Sequence, residues 1–227
     1  MNSDGTVPGL LGRLLPTPVV WAEAFDDPLL PWVFDAERAA VAAAVPKRQL
    51  EYRTVRHCAR QALGRLGLPP APILSGPNRE PLWPAGVVGA LTHCAGYRAA
   101  AVSADRTVLS VGIDAEPHEP LPEGVLERVG DRAERAELAA LSAGRHWDRI
   151  LFCAKEAVYK VWFPLARRWL GFEDARVRIE PTGQFHARLL VPGPQVQGRE
   201  LTELDGRWLV ARGLIITAIT LTPDQVR

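Results

Sequence analysis

Residues 111–116 read Val-Gly-Ile-Asp-Ala-Glu, a strict two-residue alternation that suits an extended strand. Side chains on a strand alternate faces, so Val111, Ile113 and Ala115 take one face while Gly112, Asp114 and Glu116 take the other. Such a strand must bury its first face in a core and turn two carboxylates toward a cleft or solvent. About forty residues on, positions 152–160 read Phe-Cys-Ala-Lys-Glu-Ala-Val-Tyr-Lys, where i, i+4 spacing puts Phe152, Glu156 and Lys160 on one helical stripe with Lys155 beside them. Three hard oxygen donors with two ammonium groups suit a divalent cation and a pyrophosphate. Each half alone also reads as ordinary surface chemistry: a strand ending in acids, and a solvated helical ion pair that contributes a few tenths of a kcal/mol.

Other segments fill in the architecture. Residues 1–35 hold Pro16, Pro18, Trp21, Phe25, Pro28, Pro31 and Trp32 and read as an irregular stretch or short strand laid across the body. Helical patterns occupy 36–45 and 48–66, the second with Leu50, Val55, Ala59, Ala62, Leu63 and Leu66 on one stripe. Gly67 and Pro69 end it. After a turn-rich loop at 73–83, short strands are expected at 87–92, 98–103 and 108–115. The stretch 117–146 is polar and helical only around 133–141. The charged helix should run over 147–163 and stop at Pro164, which has no N–H to give. Two hairpins close the chain, 177–180 with 185–191 around Pro181-Thr182-Gly183, and 208–211 with 214–221 around Arg212-Gly213. Helices and meandering strands in blocks mean an α+β protein with antiparallel sheets rather than a doubly wound one.

The 27 Lys and Arg against 26 Asp and Glu leave a net charge of +1, so no whole-molecule field favours nucleic acid or a membrane surface. Any anion site is local. Leu10, Leu11, Leu14 and Leu15 are broken by Gly12, Arg13 and Pro16, too short and interrupted for a leader or a spanning helix. The expected setting is cytoplasmic, with no nucleic-acid and no membrane partner. Cys58, Cys94 and Cys153 lack CxxC spacing and read as small apolar core residues. Cys94 next to His93 makes no thiol nucleophile, because neighbours on an extended chain face opposite ways. His118, His146 and His186 lack metal-ligand spacing.

Taken in order, Gly112-Ile113-Asp114-x-Glu116 and Lys155-Glu156-Ala157-x-x-Lys160 resemble the two-part signature of the 4'-phosphopantetheinyl transferases. Val55-Arg56-His57-Cys58-Ala59-Arg60-Gln61-Ala62-Leu63 and Leu91-Thr92-His93-Cys94-Ala95-Gly96-Tyr97 resemble two further blocks of the larger, surfactin-synthetase-type branch. Within that branch the similarity is greatest to actinobacterial members. It runs from about residue 48 to the C-terminal strands.

That resemblance implies two similar α/β subdomains related by a pseudo-two-fold, 1–108 and 109–227 in this chain, with the active site in the cleft between them. It implies transfer of the 4'-phosphopantetheine arm of coenzyme A to a serine hydroxyl of apo acyl, aryl or peptidyl carrier domains, with release of 3',5'-ADP. The partners would be carrier domains of polyketide, fatty-acid-type and nonribosomal peptide synthases, including siderophore synthases. Asp114, Glu116 and Glu156 would hold Mg²⁺ or Mn²⁺. Glu156, Lys160 and Asp114 would form the catalytic group, with Glu156 as general base. Arg48, Arg56, Arg79, Thr92, His93, Lys155 and Lys160 would contact coenzyme A, arginine forks suiting its phosphates. On this pattern Asp114→Ala abolishes transfer and leaves the fold intact. The chain departs from the family where a loop lysine and a glycine are usual, having Ser75 and Arg79. Arg128, Arg132, Arg135, Arg167 and Arg168 read as a solvated face or as a carrier-docking surface. The length matches the monomeric branch. Two other readings use the same residues: a non-catalytic coenzyme A-binding scaffold and a metal-dependent phosphohydrolase.

Overall fold

The computed structural model describes residues 9–226. Its elements in chain order are β1 (Val20–Ala24), α1 (Asp35–Ala40), α2 (Pro46–Arg65), β2 (Val88–Cys94), β3 (Tyr97–Ser103), β4 (Ser110–Pro117), α3 (Leu126–Val129), α4 (Arg132–Ala139) and α5 (Trp147–Ala166). The C-terminal strands follow: β5 (Ala175–Glu180), β6 (Gln184–Leu189), β7 (Gln195–Val196), β8 (Arg199–Glu200), β9 (Glu203–Ala211) and β10 (Leu214–Leu221). Both larger sheets are antiparallel, one in the order β1-β3-β2 and the other in the order β4-β10-β9-β6-β5. This is the expected mixed α and β architecture. Each sheet carries one 20-residue helix, α2 on the first and α5 on the second.

Local chemistry explains most boundaries. Pro46 opens α2 at a position where a missing N–H costs nothing, and Gly67, with φ +74°, turns the chain out of it. The expected helix at 36–45 stops at Ala40, because the chain tightens into single turns ahead of Val45, whose place before a proline disfavours helix. Pro164 does not end α5. It sits in the last turn, the Arg167 N–H still reaches Phe163 O at 2.9 Å, and the helix ends where Arg167 turns left-handed. Arg212 and Gly213, both with positive φ, form the two-residue turn that matches the twist of β9 and β10. Of the irregular stretch or short strand expected ahead of residue 36, the described part contains a short strand, β1, anchored on β3.

Three apolar clusters form the core. One packs α2 on the first sheet through Cys58, Ala59, Ala62 and Leu63 against Ala100 and Val102. Another packs α5 on the second sheet through Ala154, Val158 and Val161 against Ile215 and Ile219. The third lies between the sheets and mixes Ala90, Ala99 and Ala101 of the first with Val111, Ile113 and Ile216 of the second, plugged by Leu10, Leu11, Leu14 and Leu15. The order is therefore helix, sheet, sheet, helix. Val111, Ile113 and Ala115 face the shared cluster as their alternation predicts, which turns Gly112, Asp114 and Glu116 toward α5. Of the three thiols, Cys58 and Cys153 are fully buried, and Cys94 is partly open. No helix among the described residues is long and apolar enough to cross a membrane.

Candidate active site

The site is built on β4, an edge strand whose open side meets β2 of the other sheet. Gly112 sets the depth at which α5 sits. A Cβ there would stand 2.2 Å from Ala157 O and 2.8 Å from Val161, so only glycine lets the helix rest on the strand backbone. This contact brings the charged stripe of α5 against Asp114. Lys160 Nζ donates to Asp114 Oδ1 at 2.7 Å and to Ile113 O at 2.9 Å. Thr92 Oγ1 donates to the same Asp114 oxygen at 3.2 Å and accepts the Ala115 N–H at 3.0 Å. On the open edge of β4, Ile113 O and the Ala115 N–H are thus met by the side chains of Lys160 and Thr92 rather than by a backbone ladder. Asp114 Oδ2 is buried and has no hydrogen-bond partner.

The other two acids feel Asp114. Burial pushes the Glu156 carboxyl above its ordinary range, the charge of Asp114 adds to this, and Lys160 only partly offsets them. Glu116 is likewise raised, by burial and then Asp114, against the pull of Arg149 and Lys160. Arg149 Nη1 donates to Glu116 Oε2 at 2.9 Å. Burial alone would lower the Lys160 ammonium, yet Asp114 and Glu156 hold it above the usual lysine value. Among the described residues no three His, Cys, Asp or Glu side chains are gathered as a ready-made metal site. The expected three-carboxylate set is therefore not closed, since Lys160 and Arg149 draw Asp114 and Glu116 into ion pairs. The donor chemistry still fits a hard cation: three carboxyl groups that repel one another, one of them with an orphaned buried oxygen.

Toward the first sheet, Arg48 Nη1 lies 2.6 Å from His93 Nε2. Arginine can only donate, so Nε2 accepts and the ring proton sits on Nδ1. Burial and then the charge of Arg48 depress His93 to about 4, so it is neutral. Glu51 bridges this pair to the interior, 3.5 Å from Arg48 and 3.4 Å from the buried Arg98. Arg56 is turned inward: it donates to Ile73 O at 3.1 Å and Ser75 Oγ at 3.0 Å, and its guanidinium stacks on Tyr52. Burial lowers it to about 10. Its bonds fix the loop that holds Ser75 and Arg79. Arg79 is exposed, in a left-handed conformation with φ 68°, and the same loop reaches α5 where Glu80 lies 3.9 Å from Arg167.

Besides Arg56, two expected coenzyme A contacts have their polar atoms engaged elsewhere. Lys155 is buried on the far flank of α5, its three donors given to Glu134 at 2.9 Å, Phe172 O at 2.7 Å and Ala175 O at 2.8 Å. Helical spacing put Lys155 beside the stripe without showing that α4 and β5 cover that side. Thr92 is also buried, and its hydroxyl serves Asp114 and Ala115. Sequence reading missed Arg149, Glu51 and Glu134. Only Glu134 carried a local signal, the Asp131-x-x-Glu134 capping pattern that opens α4.

Comparison with known proteins adds a second, independent line. The model of the 4'-phosphopantetheinyl transferase N-terminal domain matches residues 36–103, and that of the 4'-phosphopantetheinyl transferase superfamily matches residues 110–212. The chain is 53% identical over 226 residues to 4'-phosphopantetheinyl transferase PptT of Mycobacterium tuberculosis, covering 95% of this chain and 100% of that protein. It is 52% identical over 220 residues to 4'-phosphopantetheinyl transferase Svp of Streptomyces mobaraensis, with 93% and 89% covered. To Npt of Nocardia iowensis it is 48% identical over 219 residues, with 92% and 99% covered.

Proposed function

The chain belongs to the 4'-phosphopantetheinyl transferase superfamily, and from that premise we propose that it moves the phosphopantetheine arm of coenzyme A onto a carrier-protein serine in the cleft between β2 and β4. The observation that carries this reading is the meeting of Asp114, Glu156 and Lys160 at the edge of β4, one step along β2 from the Arg48–His93 pair. Acid chemistry and anion chemistry share one seam. The two lobes are taken as 1–108 and 109–227.

In the proposed reaction the serine oxygen attacks the β-phosphorus of coenzyme A. A new phosphorus–oxygen bond forms to serine as the bond to 3',5'-ADP breaks, and the serine proton passes to Glu156. A carboxyl group raised by burial and a neighbouring acid is a better base near neutral pH than a free one. An ammonium has three donors, and Lys160 has committed two of them, leaving one for a phosphate oxygen. Arg48, His93 and Arg79 would take the nucleotide end, with Arg56 holding their loop from beneath. Asp114 through its free oxygen, Glu116 and Glu156 would hold Mg²⁺ or Mn²⁺, which when bound offsets charge on the pyrophosphate. The partners would be carrier domains of polyketide and nonribosomal peptide synthases, and the working unit a monomer.

Incubation with coenzyme A, Mg²⁺ and an apo carrier protein tests this. A carrier heavier by one phosphopantetheine arm is the expected result. Coenzyme A binding without any mass gain would point instead to a scaffold, and release of phosphate from simple esters to a hydrolase.

A further inference from the structure

We propose that Thr92 is a positioning residue that holds Asp114 by one carboxylate oxygen and so fixes which oxygen is left without a protein hydrogen bond. The proposal deepens the transferase reading and rests on it. The direction of each bond follows from donor chemistry. The Ala115 amide can only donate, so Thr92 Oγ1 accepts there, at 3.0 Å. The hydroxyl proton is then left for Asp114 Oδ1, at 3.2 Å. Lys160 Nζ grips the same oxygen at 2.7 Å. Two donors on Oδ1 hold the carboxylate in place, and Oδ2 is the buried atom left without a hydrogen-bond partner.

The bond also crosses a boundary. Thr92 belongs to β2 and Asp114 to β4, and no ladder joins these strands. The hydroxyl takes the place of a strand partner beside Asp114, the first of the two site carboxylates that β4 carries. The next residue, His93, pairs with Arg48 on the other side of β2. A single peptide unit therefore links the group that holds the acid to the group proposed for the nucleotide end.

A purely structural threonine would satisfy the Ala115 N–H and do no more. The two roles separate in the affinity for a divalent cation, measured without turnover. Mn²⁺ is titrated by electron paramagnetic resonance into the whole protein saturated with coenzyme A in the absence of any carrier, and coenzyme A affinity is measured by calorimetry without divalent cation. Thr92→Val should weaken Mn²⁺ binding about tenfold, the usual effect of losing an outer partner of a metal ligand. Thr92→Ser, which keeps the hydroxyl, should stay within about twofold of wild type. Coenzyme A affinity should be unchanged in both. Should Thr92→Val not fold, Thr92→Ala is read in the same way, since it lacks the hydroxyl and adds no bulk. Wild-type Mn²⁺ affinity in the hydroxyl-free variant overturns the proposal, as does an equal loss in Thr92→Ser. If wild-type protein binds no Mn²⁺ beside coenzyme A, the metal reading of the site falls together with it.

Discussion

Lys160 Nζ and Asp114 Oδ1 are 2.7 Å apart, with the lysine a quarter exposed and the aspartate 8% exposed. The pair joins α5 to β4 at the seam between the two sheets. Removing either partner leaves the other partly buried and unpaired, which costs more than the intact pair contributes. Lys160→Met is therefore expected to destabilise the fold by about 2 kcal/mol and to reduce transfer at least a hundredfold. Denaturant titration and a holo-carrier mass assay measure the two effects. Asp114→Ala cannot be the silent change in folding that a strand-end acid suggests, because Asp114 is buried and takes bonds from Lys160 and Thr92. Asp114→Asn keeps the shape and is the better probe of chemistry.

Glu156→Gln should lower the transfer rate by about a hundredfold to ten-thousandfold, the range for loss of a general base, while coenzyme A affinity stays within twofold. Equal rates in wild type and variant would remove Glu156 from the proton path.

The same substitution has a stability signature with a defined sign. The Glu156 carboxyl is raised in the folded protein, so between its unfolded and folded values the native state binds more protons. Stability therefore falls as pH rises through that window and stays lower above it. Glu156→Gln should melt at a higher temperature than wild type at neutral pH, and the gain should vanish below about pH 4, where the unfolded carboxyl is also protonated. Melting curves of both proteins between pH 4 and pH 8 would show it. A constant difference across that range would rule out burial of the charged carboxylate as the cause.

Lys155→Met is expected to cost about 3 kcal/mol, because Glu134 would remain as a buried, 1% exposed carboxylate without its counter-ion. Folded Lys155→Met should bind coenzyme A as wild type does. Adding Glu134→Gln should recover part of the stability, since the charge left behind is then gone. Calorimetry and thermal melts of the single and double variants decide between this structural role and phosphate contact.

Arg56→Ala should act through the loop it holds. Loss of the bonds to Ile73 O and Ser75 Oγ should raise proteolytic cleavage within 74–81 several-fold and weaken coenzyme A binding only as far as the loop moves. A large loss of affinity with an unchanged cleavage rate would make Arg56 a direct ligand instead.

What could be read from sequence was whatever local periodicity controls. The face of β4 that carries Asp114 and the stripe of α5 that carries Glu156 and Lys160 follow from spacings of two and four. The hairpins followed from their turn residues, although β9 begins at Glu203, well before the expected 208, because its first residues pair with β6 rather than β10. Partners far apart in the chain were not legible. Nothing near Glu116 announces Arg149, 33 positions away, and nothing near Lys155 announces that Glu134 and the start of β5 enclose it. Thr92 showed its type and place but not its direction. A hydroxyl suits phosphate and carboxylate equally, and only the apposition of two sheet edges selects the second.

The apolar cluster between the sheets has a consequence for how the protein can be taken apart. Ile113 and Ile216 from the five-stranded sheet, Ala99 and Ala101 from the three-stranded one, and the leucines near the start of the chain bury one another there. Severed at residues 108 and 109, each fragment would bare a greasy sheet face to water, so two separately expressed pieces should aggregate alone and become soluble only when made together.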